Sequence, residues 1–284
     1  MSEIIAVLGA GVMGSDLALD LARFGYSVIL KDVEKRILAR SREGIRRTLR
    51  YLKMTNKEFA ACSIDETLSK IQFITTFDGF EKAGFILENI TEIYALKKEL
   101  YRELGKRCRP DAIFGSNTSC ISITRIGSLL PRPENVIGTH FLNPVPLKKL
   151  VEVIRGFHTS EETLEKTQAL LKSMGKTWVV VNDFPGFVTN RVLMLTINEC
   201  VFLVQDRVAP PESIDRIFTQ GFSHKMGPLA TADLIGLDTI LNSLEVLFES
   251  YKDTKFRPCP LLRKMVDAGL LGKKSGKGFF EYKF

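Results

Sequence analysis

An α/β fold, with a mostly parallel sheet followed by an all-helical second domain, is predicted by three features of the 284-residue chain. Short apolar runs alternate with longer helical patterns through the first half, as parallel strands require because each needs a crossover. The β signals stop after Val181. Beyond the junction that follows, apolar residues from Val192 to Val204 recur at helical spacing.

The first apolar run, Ile4–Leu8, reads as a buried strand and leads directly into glycines at 9, 11 and 14. Further strands are predicted at Ser27–Leu30, Phe85–Leu87, Ala112–Phe114, Val136–Gly138, Leu150–Ile154 and Trp178–Val181. Between the second and third of these runs the chain leaves the sheet. Val33–Lys53 is rich in charge, with Leu38, Ile45, Leu49 and Leu52 near helical spacing, which predicts a long exposed helix followed by a second one. Thr159, with Glu162 three positions on, has the form of a capping box for a helix that Gly175 ends. Asp183-Phe184-Pro185-Gly186 reads as a junction, giving expected domains of 1–184 and 185–284. Past it, Val192, Leu195, Glu199 and Phe202 set a helical period that Leu193, Ile197, Cys200 and Val204 widen. A helix apolar over most of its circumference needs partners on several sides, so an all-helical second domain that also forms a homodimer is expected.

Hydrophobic residues at 45% and charged ones at 26% belong to a globular protein and argue against disorder. The formal charge of +7 suits an anionic partner. Because Lys and Arg are interspersed with Asp and Glu, no polycationic arm exists, which favours a phosphorylated cofactor or an acidic protein over nucleic acid. The five cysteines are scattered and form no CxxC pair, as expected of reduced thiols. An apolar run beginning at Ile4 leaves no room for a secretory leader, and no stretch reaches the ~20 apolar residues that cross a bilayer. A cytoplasmic protein without membrane association is the expectation.

Gly9-Ala10-Gly11-Val12-Met13-Gly14 is a GxGxxG placed after a strand and before the helical stripe Met13, Leu17, Leu21 and Phe24. The first glycine permits the turn, the second lets a pyrophosphate approach, and the third allows close packing of helix on strand. Asp32, at the end of the second strand, stands where a carboxylate binds ribose hydroxyls and repels the extra phosphate of NADP. These features predict a Rossmann-type domain binding NAD, the alternative being a glycine turn that closes such a fold without cofactor.

Three histidines, at 140, 158 and 224, make no metal-ligand spacing, so no metal is expected. His140 follows Val136-Ile137-Gly138-Thr139, at the carboxyl end of a strand, where open α/β sheets bind ligands. On position alone, a histidine there also suits a structural role. The surrounding segment, Gly138-Thr139-His140-Phe141-Leu142-Asn143-Pro144-Val145-Pro146 followed by Lys149–Ile154, closely resembles the active-site segment of the L-3-hydroxyacyl-CoA dehydrogenases, including the bacterial 3-hydroxybutyryl-CoA dehydrogenases. Ser116-Asn117-Thr118-Ser119, Asp183–Arg191, Met226-Gly227-Pro228, Gly236-Leu237-Asp238 and Gly272–Phe279 continue the resemblance in order along nearly the whole chain.

What the resemblance implies is an NAD-dependent oxidoreductase that interconverts 3-hydroxyacyl and 3-ketoacyl thioesters, with a second domain that also binds substrate. By similarity His140 transfers the proton, a role its ordinary pKa near 6.5 suits in both directions. Glu152 orients its imidazole, and Ser119 and Asn190 bind the reacting oxygen and position the acyl group. The resemblance puts Glu92 and Lys97 at the nicotinamide-side ribose, Asn143 at the nicotinamide amide, and Asn117 among the cofactor contacts.

Three departures lie in segments expected on the substrate side. Family members commonly carry a small residue where this chain has Asn89, which adds a hydrogen-bonding group. Phe222-Ser223-His224-Lys225 is more basic than the resemblance implies. The lysine-rich turn that clasps CoA phosphates is poorly matched, although Arg46, Arg47, Arg50, Lys53 and Lys57 keep the excursion positive. A short acyl-CoA such as 3-hydroxybutyryl-CoA is the expected substrate. The same chemistry on a polar acyl unit held by an acidic acyl carrier protein, as in the making of polyketide extender units, is the alternative. A β-hydroxyacid dehydrogenase of the 3-hydroxyisobutyrate type, which uses a lysine as acid/base, and a non-catalytic NAD-binding protein are the remaining readings.

Overall fold

A computed structural model describes residues 3–283. The chain divides into two compact units, residues 1–183 and 184–284.

Among the described residues of the first unit, eight strands form one sheet in the order β3-β2-β1-β4-β5-β6-β7-β8. They are β1 (Ile4–Leu8), β2 (Ser27–Lys31), β3 (Ile71–Ile74), β4 (Phe85–Glu88), β5 (Ile113–Ser116), β6 (Val136–Phe141), β7 (Leu150–Arg155) and β8 (Thr177–Asn182). The first six are parallel; β7 runs antiparallel to β6, and β8 is parallel to β7. The strand order reverses on either side of β1, which opens a crevice at the carboxyl ends of β1 and β4. Strand β3, four residues long and paired with β2 alone, has no predicted counterpart. Its only signal, Ile71, Phe73 and Ile74, is shorter than either periodicity needs to declare itself.

Helix α1 (Val12–Arg23) packs Leu17 and Leu21 against Ile5, Val7 and Val28 of the sheet. Helix α2 (Lys35–Thr55) is the expected excursion, burying Leu38, Ile45, Leu49 and Leu52 as one stripe with Ser41. Helix α3 (Ile64–Ser69) follows, capped by the Ser63 hydroxyl on the Glu66 N–H. Helices α4 (Tyr94–Arg107) and α5 (Ile123–Gly127) cross between later strands. Helix α6 (Glu161–Ser173) corrects the expected cap by one residue: Ser160 accepts from the Thr163 N–H at 3.1 Å. The Thr159 hydroxyl instead accepts from Gly156 N–H and donates to the Val136 carbonyl, fastening the turn after β7 to the start of β6. Gly175 then takes the left-handed conformation, φ +64°, that ends the helix.

The second unit is helical: α7 (Thr189–Gln205), α8 (Pro211–Arg216), α9 (Pro228–Ile235), α10 (Leu237–Tyr251) and α11 (Pro260–Asp267). Met194, Ile197 and Val201 of α7, Leu229 of α9, and Ile240, Leu244 and Leu247 of α10 are buried in this unit. The C-terminal segment closes on buried Asp233, which accepts from the N–H groups of Phe279 and Phe280 and from the Tyr282 hydroxyl. Val192 on α7 remains 59% exposed, part of the apolar excess that its sequence carries.

Candidate active site

At the end of β1 the glycines show which positions tolerate no side chain. A Cβ on Gly9, whose φ is +87°, would lie 2.6 Å from the Asn89 carbonyl, and one on Gly14 would lie 1.8 Å from the Gly9 carbonyl. A Cβ on Gly11 meets nothing within 4 Å. The outer glycines are therefore demanded by packing, while the middle one leaves open the space a pyrophosphate needs at the start of α1. Asp32, just past β2, accepts from the Ala10 N–H and the Val33 N–H, both at 2.7 Å, so its carboxylate is fixed across the glycine turn. A cleft of about 540 Å³ runs between Gly9, Gly11, Asp32, Asn89 and Leu96. These features fit NAD. A larger cavity, about 700 Å³, borders α10 and α11 and is lined by mixed charges such as Glu245 and Arg263, with none of the groups below.

The antiparallel register of β6 and β7 sets His140 directly opposite Glu152. The imidazole Nδ1 lies 3.0 Å from Glu152 Oε2, and the two residues are only 6% and 5% exposed. Ser119, from the loop after β5, places its Oγ 3.1 Å from His140 Nε2. With its proton on Nδ1, the neutral ring donates to the carboxylate and turns Nε2 outward as an acceptor. The result is a carboxylate, an imidazole and a hydroxyl in line at the carboxyl end of the sheet, able to accept or deliver one proton at Nε2. No cluster that could hold a metal occurs among the described residues.

Two further carboxylates build the frame. Glu92 Oε1 accepts from the Thr118 hydroxyl at 2.5 Å and from the N–H groups of Ser119 at 3.0 Å and Cys120 at 2.9 Å, shaping the loop that presents Ser119. Its side chain keeps about a third of its surface exposed. Lys97, expected at a ribose, has no accessible surface; its ammonium sits 2.7 Å from both oxygens of buried Glu88 and 3.7 Å from Glu92. Here it supports the two glutamates that frame the site. Glu88 also accepts from the Ile90 N–H and the Ser116 hydroxyl, and the Tyr101 hydroxyl lies 3.4 Å away. Burial, and then the charge of Glu88, push the Tyr101 hydroxyl well above its ordinary pKa. Glu88, Ser116 and Tyr101 were not predicted. The available signal was Lys97 and Tyr101 at i and i+4, one face of α4, opposite an acid ending a strand.

The other expected residues fall in different settings. Asn117 Oδ1 accepts from the Phe141 N–H, the residue after His140. Asn143 is exposed just beyond β6, and Asn190 is half-buried in the first turn of α7 in the second unit. Asn89, expected close to where cofactor meets substrate, lines the dinucleotide cleft, and its amide is engaged by Leu87 and Asn117. On the excursion, Arg50 and Lys57 are exposed, and Arg46 lies 3.8 Å from Glu43. Lys53 donates to the Cys62 carbonyl at 2.5 Å and so holds the turn between α2 and α3.

Comparison with known proteins matches residues 4–184 to the 3-hydroxyacyl-CoA dehydrogenase NAD binding domain and residues 186–282 to the 3-hydroxyacyl-CoA dehydrogenase C-terminal domain. A Bacillus subtilis protein named a probable 3-hydroxybutyryl-CoA dehydrogenase is 48% identical, over 98% of this chain and 96% of its own. A Clostridioides difficile 3-hydroxybutyryl-CoA dehydrogenase is 40% identical over 98% and 99% of the two chains. The crystal structure of the (S)-3-hydroxybutyryl-CoA dehydrogenase of Ralstonia eutropha covers all of both chains with a TM-score of 0.92 at 36% identity. A 3-hydroxyisobutyrate dehydrogenase from Mycobacterium tuberculosis shares the fold alone, with a TM-score of 0.60 and 14% identity over 94% of this chain and 92% of its own. The glycine turn with its fixed Asp32, the Ser119–His140–Glu152 line and these full-length matches agree: the chain belongs to the 3-hydroxyacyl-CoA dehydrogenase family, whose first domain binds NAD.

Proposed function

We propose that this enzyme interconverts (S)-3-hydroxybutyryl-CoA and acetoacetyl-CoA, with His140 as the acid/base. The observation that carries the reading is the line from Glu152 through His140 to Ser119, with both ring nitrogens engaged. In oxidation His140 Nε2 takes the hydroxyl proton, and Glu152 stabilises the imidazolium that forms. In reduction the imidazolium returns that proton to the substrate oxygen. Ser119 Oγ, directed at the same nitrogen, holds the reacting oxygen, and a neutral donor there stabilises charge that develops on it. NAD, when bound, supplies the site that accepts the hydride. Asp32 holds its ribose, Glu92, Asn117 and Asn143 serve its nicotinamide end, and Asn190 positions the acyl group.

Full-length similarity to 3-hydroxybutyryl-CoA dehydrogenases supports CoA as the carrier. A polar acyl pocket at Asn89 is the ground for the alternative, a carrier-protein substrate, and the Asn89 amide bonds Leu87 and Asn117. Exposed Arg50 and Lys57 are assigned to the CoA phosphates. The partly exposed apolar residues of α7, with Val192 foremost, support a homodimer. Cys62, Cys108, Cys200 and Cys259 are free thiols, in keeping with a reducing cytoplasm. No helix of the described residues is long and apolar enough to cross a membrane.

NADH oxidation with acetoacetyl-CoA, compared with the same group on an acyl carrier protein, tests the proposal. Turnover on the CoA thioester without preference for the protein-bound form is the expected result, and His140→Gln should lose about 10²- to 10⁴-fold in kcat. A strong preference for the carrier protein, or retained activity in His140→Gln, would overturn it.

A further inference from the structure

One run of side-chain amides links the cofactor cleft to the strand that carries His140. Asn89, the first residue past β4, donates from Nδ2 to the Leu87 carbonyl at 3.1 Å, and its Oδ1 accepts from Asn117 Nδ2 at 2.7 Å. Asn117, the first residue past β5, in turn accepts at Oδ1 from the Phe141 N–H at 3.1 Å. All three bonds run in one direction across the carboxyl ends of β4, β5 and β6. Each fixes the sense of the next: because Asn89 presents an oxygen, Asn117 must turn its NH₂ toward it and its own oxygen toward Phe141. The backbone of Asn89 is held as firmly. Its N–H bonds the Leu8 carbonyl at 2.7 Å, and its carbonyl lies where a Cβ on Gly9 would collide.

We infer that Asn89 is a positioning residue for the reaction: through Asn117 it sets the strand end on which His140 rests and ties it to the wall of the dinucleotide cleft. The inference rests on the acid/base role proposed for His140. An alanine at this position would leave Asn117 Nδ2 without its acceptor, so that of these bonds only the one from the Phe141 N–H would still hold the Asn117 amide. That would loosen the hold on the Phe141 N–H, one residue from the acid/base. Small displacements of an acid/base group cost rate rather than substrate affinity. Asn89 therefore acts on kcat and not on recognition of the acyl group.

A double-mutant cycle tests this, using Asn89→Ala, Asn117→Ala and the double variant of the full-length enzyme, with acetoacetyl-CoA and NADH. Asn89→Ala should lower kcat about three- to tenfold, the effect of losing one neutral hydrogen bond, and leave KM for the thioester within twofold. In the Asn117→Ala background the same change should cost less than twofold, because its effect passes through Asn117. Hydrogen exchange of the Phe141 amide, followed by NMR without substrate, should quicken about tenfold in Asn89→Ala. This readout stands even if the enzyme proves inactive on acetoacetyl-CoA, an outcome that would defeat the proposed function alone. Additive effects of the two alanines, a raised thioester KM at unchanged kcat, or unchanged Phe141 exchange would each overturn the inference.

Discussion

Glu152 shares a nearly dry site with His140, and its charge has a use there only if the ring becomes positive during the reaction. A buried carboxylate without a compensating donor is costly, and the Nδ1 contact at 3.0 Å provides one. Glu152→Gln keeps the shape and an oxygen acceptor while removing the charge. The neutral ring remains held, but the imidazolium loses its stabilising partner. The expected outcome is a fall in kcat of about 10- to 10³-fold with thioester KM changed little, measured by NADH oxidation. An unchanged kcat would reduce Glu152 to a structural residue. Ser119→Ala has a different signature: it removes a donor aimed at the reacting oxygen, so kcat should fall about 10²-fold while the His140–Glu152 contact stays intact.

Helix α1 and the strand pair β6–β7 meet through charge. Asp20 of α1, fully buried, lies 2.6 Å from Arg23 and from Lys176, and Lys176 also donates to the carbonyls of Val145 and Lys148 in the turn after β6. One helical turn earlier, burial pushes the Asp16 carboxyl up to about 6; a bond from the Val145 N–H and the charge of Lys176 oppose that rise, and Asp20 adds to it. The folded chain thus holds a proton that the unfolded chain releases near pH 4. Stability on this account is fully present below about pH 4, falls as pH rises toward 6, and stays lower above. Asp16→Asn abolishes the titration, so urea unfolding at pH 7.5 should show a gain of about 1–3 kcal/mol that vanishes at pH 4. A variant no more stable at the higher pH would show that the ionised carboxylate is fully compensated by Val145 and Lys176. This cluster also marks the limit of what the sequence discloses. The glycine turn, Asp32 and His140 are legible because each local pattern carries its own reason: a strand, a turn, an acid at a set distance. Glu152 is legible as a strand residue, but its pairing with His140 depends on the reversal of β7, which no local pattern states. Lys97 and Lys53 look like solvated helix charges, yet one is enclosed with Glu88 and the other spends its ammonium on a carbonyl, because topology decides what a long cation meets. The bonds of Asn89 are hidden for the same reason, its amide being met by the Leu87 carbonyl of β4 and by Asn117 past β5.

The net charge of +7 is not spread evenly over function, for the excursion helices combine Arg36, Arg40, Arg47 and Arg50, all exposed, with Lys57. Surface pairs such as Arg46 with Glu43 at 3.8 Å neutralise little of it. An acyl-CoA carries its charge on phosphates, whereas the acyl group proposed to react at His140 is neutral. Electrostatic attraction should then govern capture of the thioester and leave the chemical step alone. Raising ionic strength from about 0.05 to 0.5 M shortens the screening length from roughly 14 Å to about 4 Å, which removes long-range attraction but spares contacts already made in the dry site. Thioester KM should therefore rise several-fold over that range with kcat nearly constant. Arg50→Glu should raise KM at low salt, and the difference from the unaltered enzyme should narrow at high salt. A KM insensitive to both salt and Arg50→Glu would detach the basic helices from the CoA phosphates. A kcat that fell with salt would instead place the charge dependence at the acid/base itself, a result that the burial of His140 and Glu152 argues against.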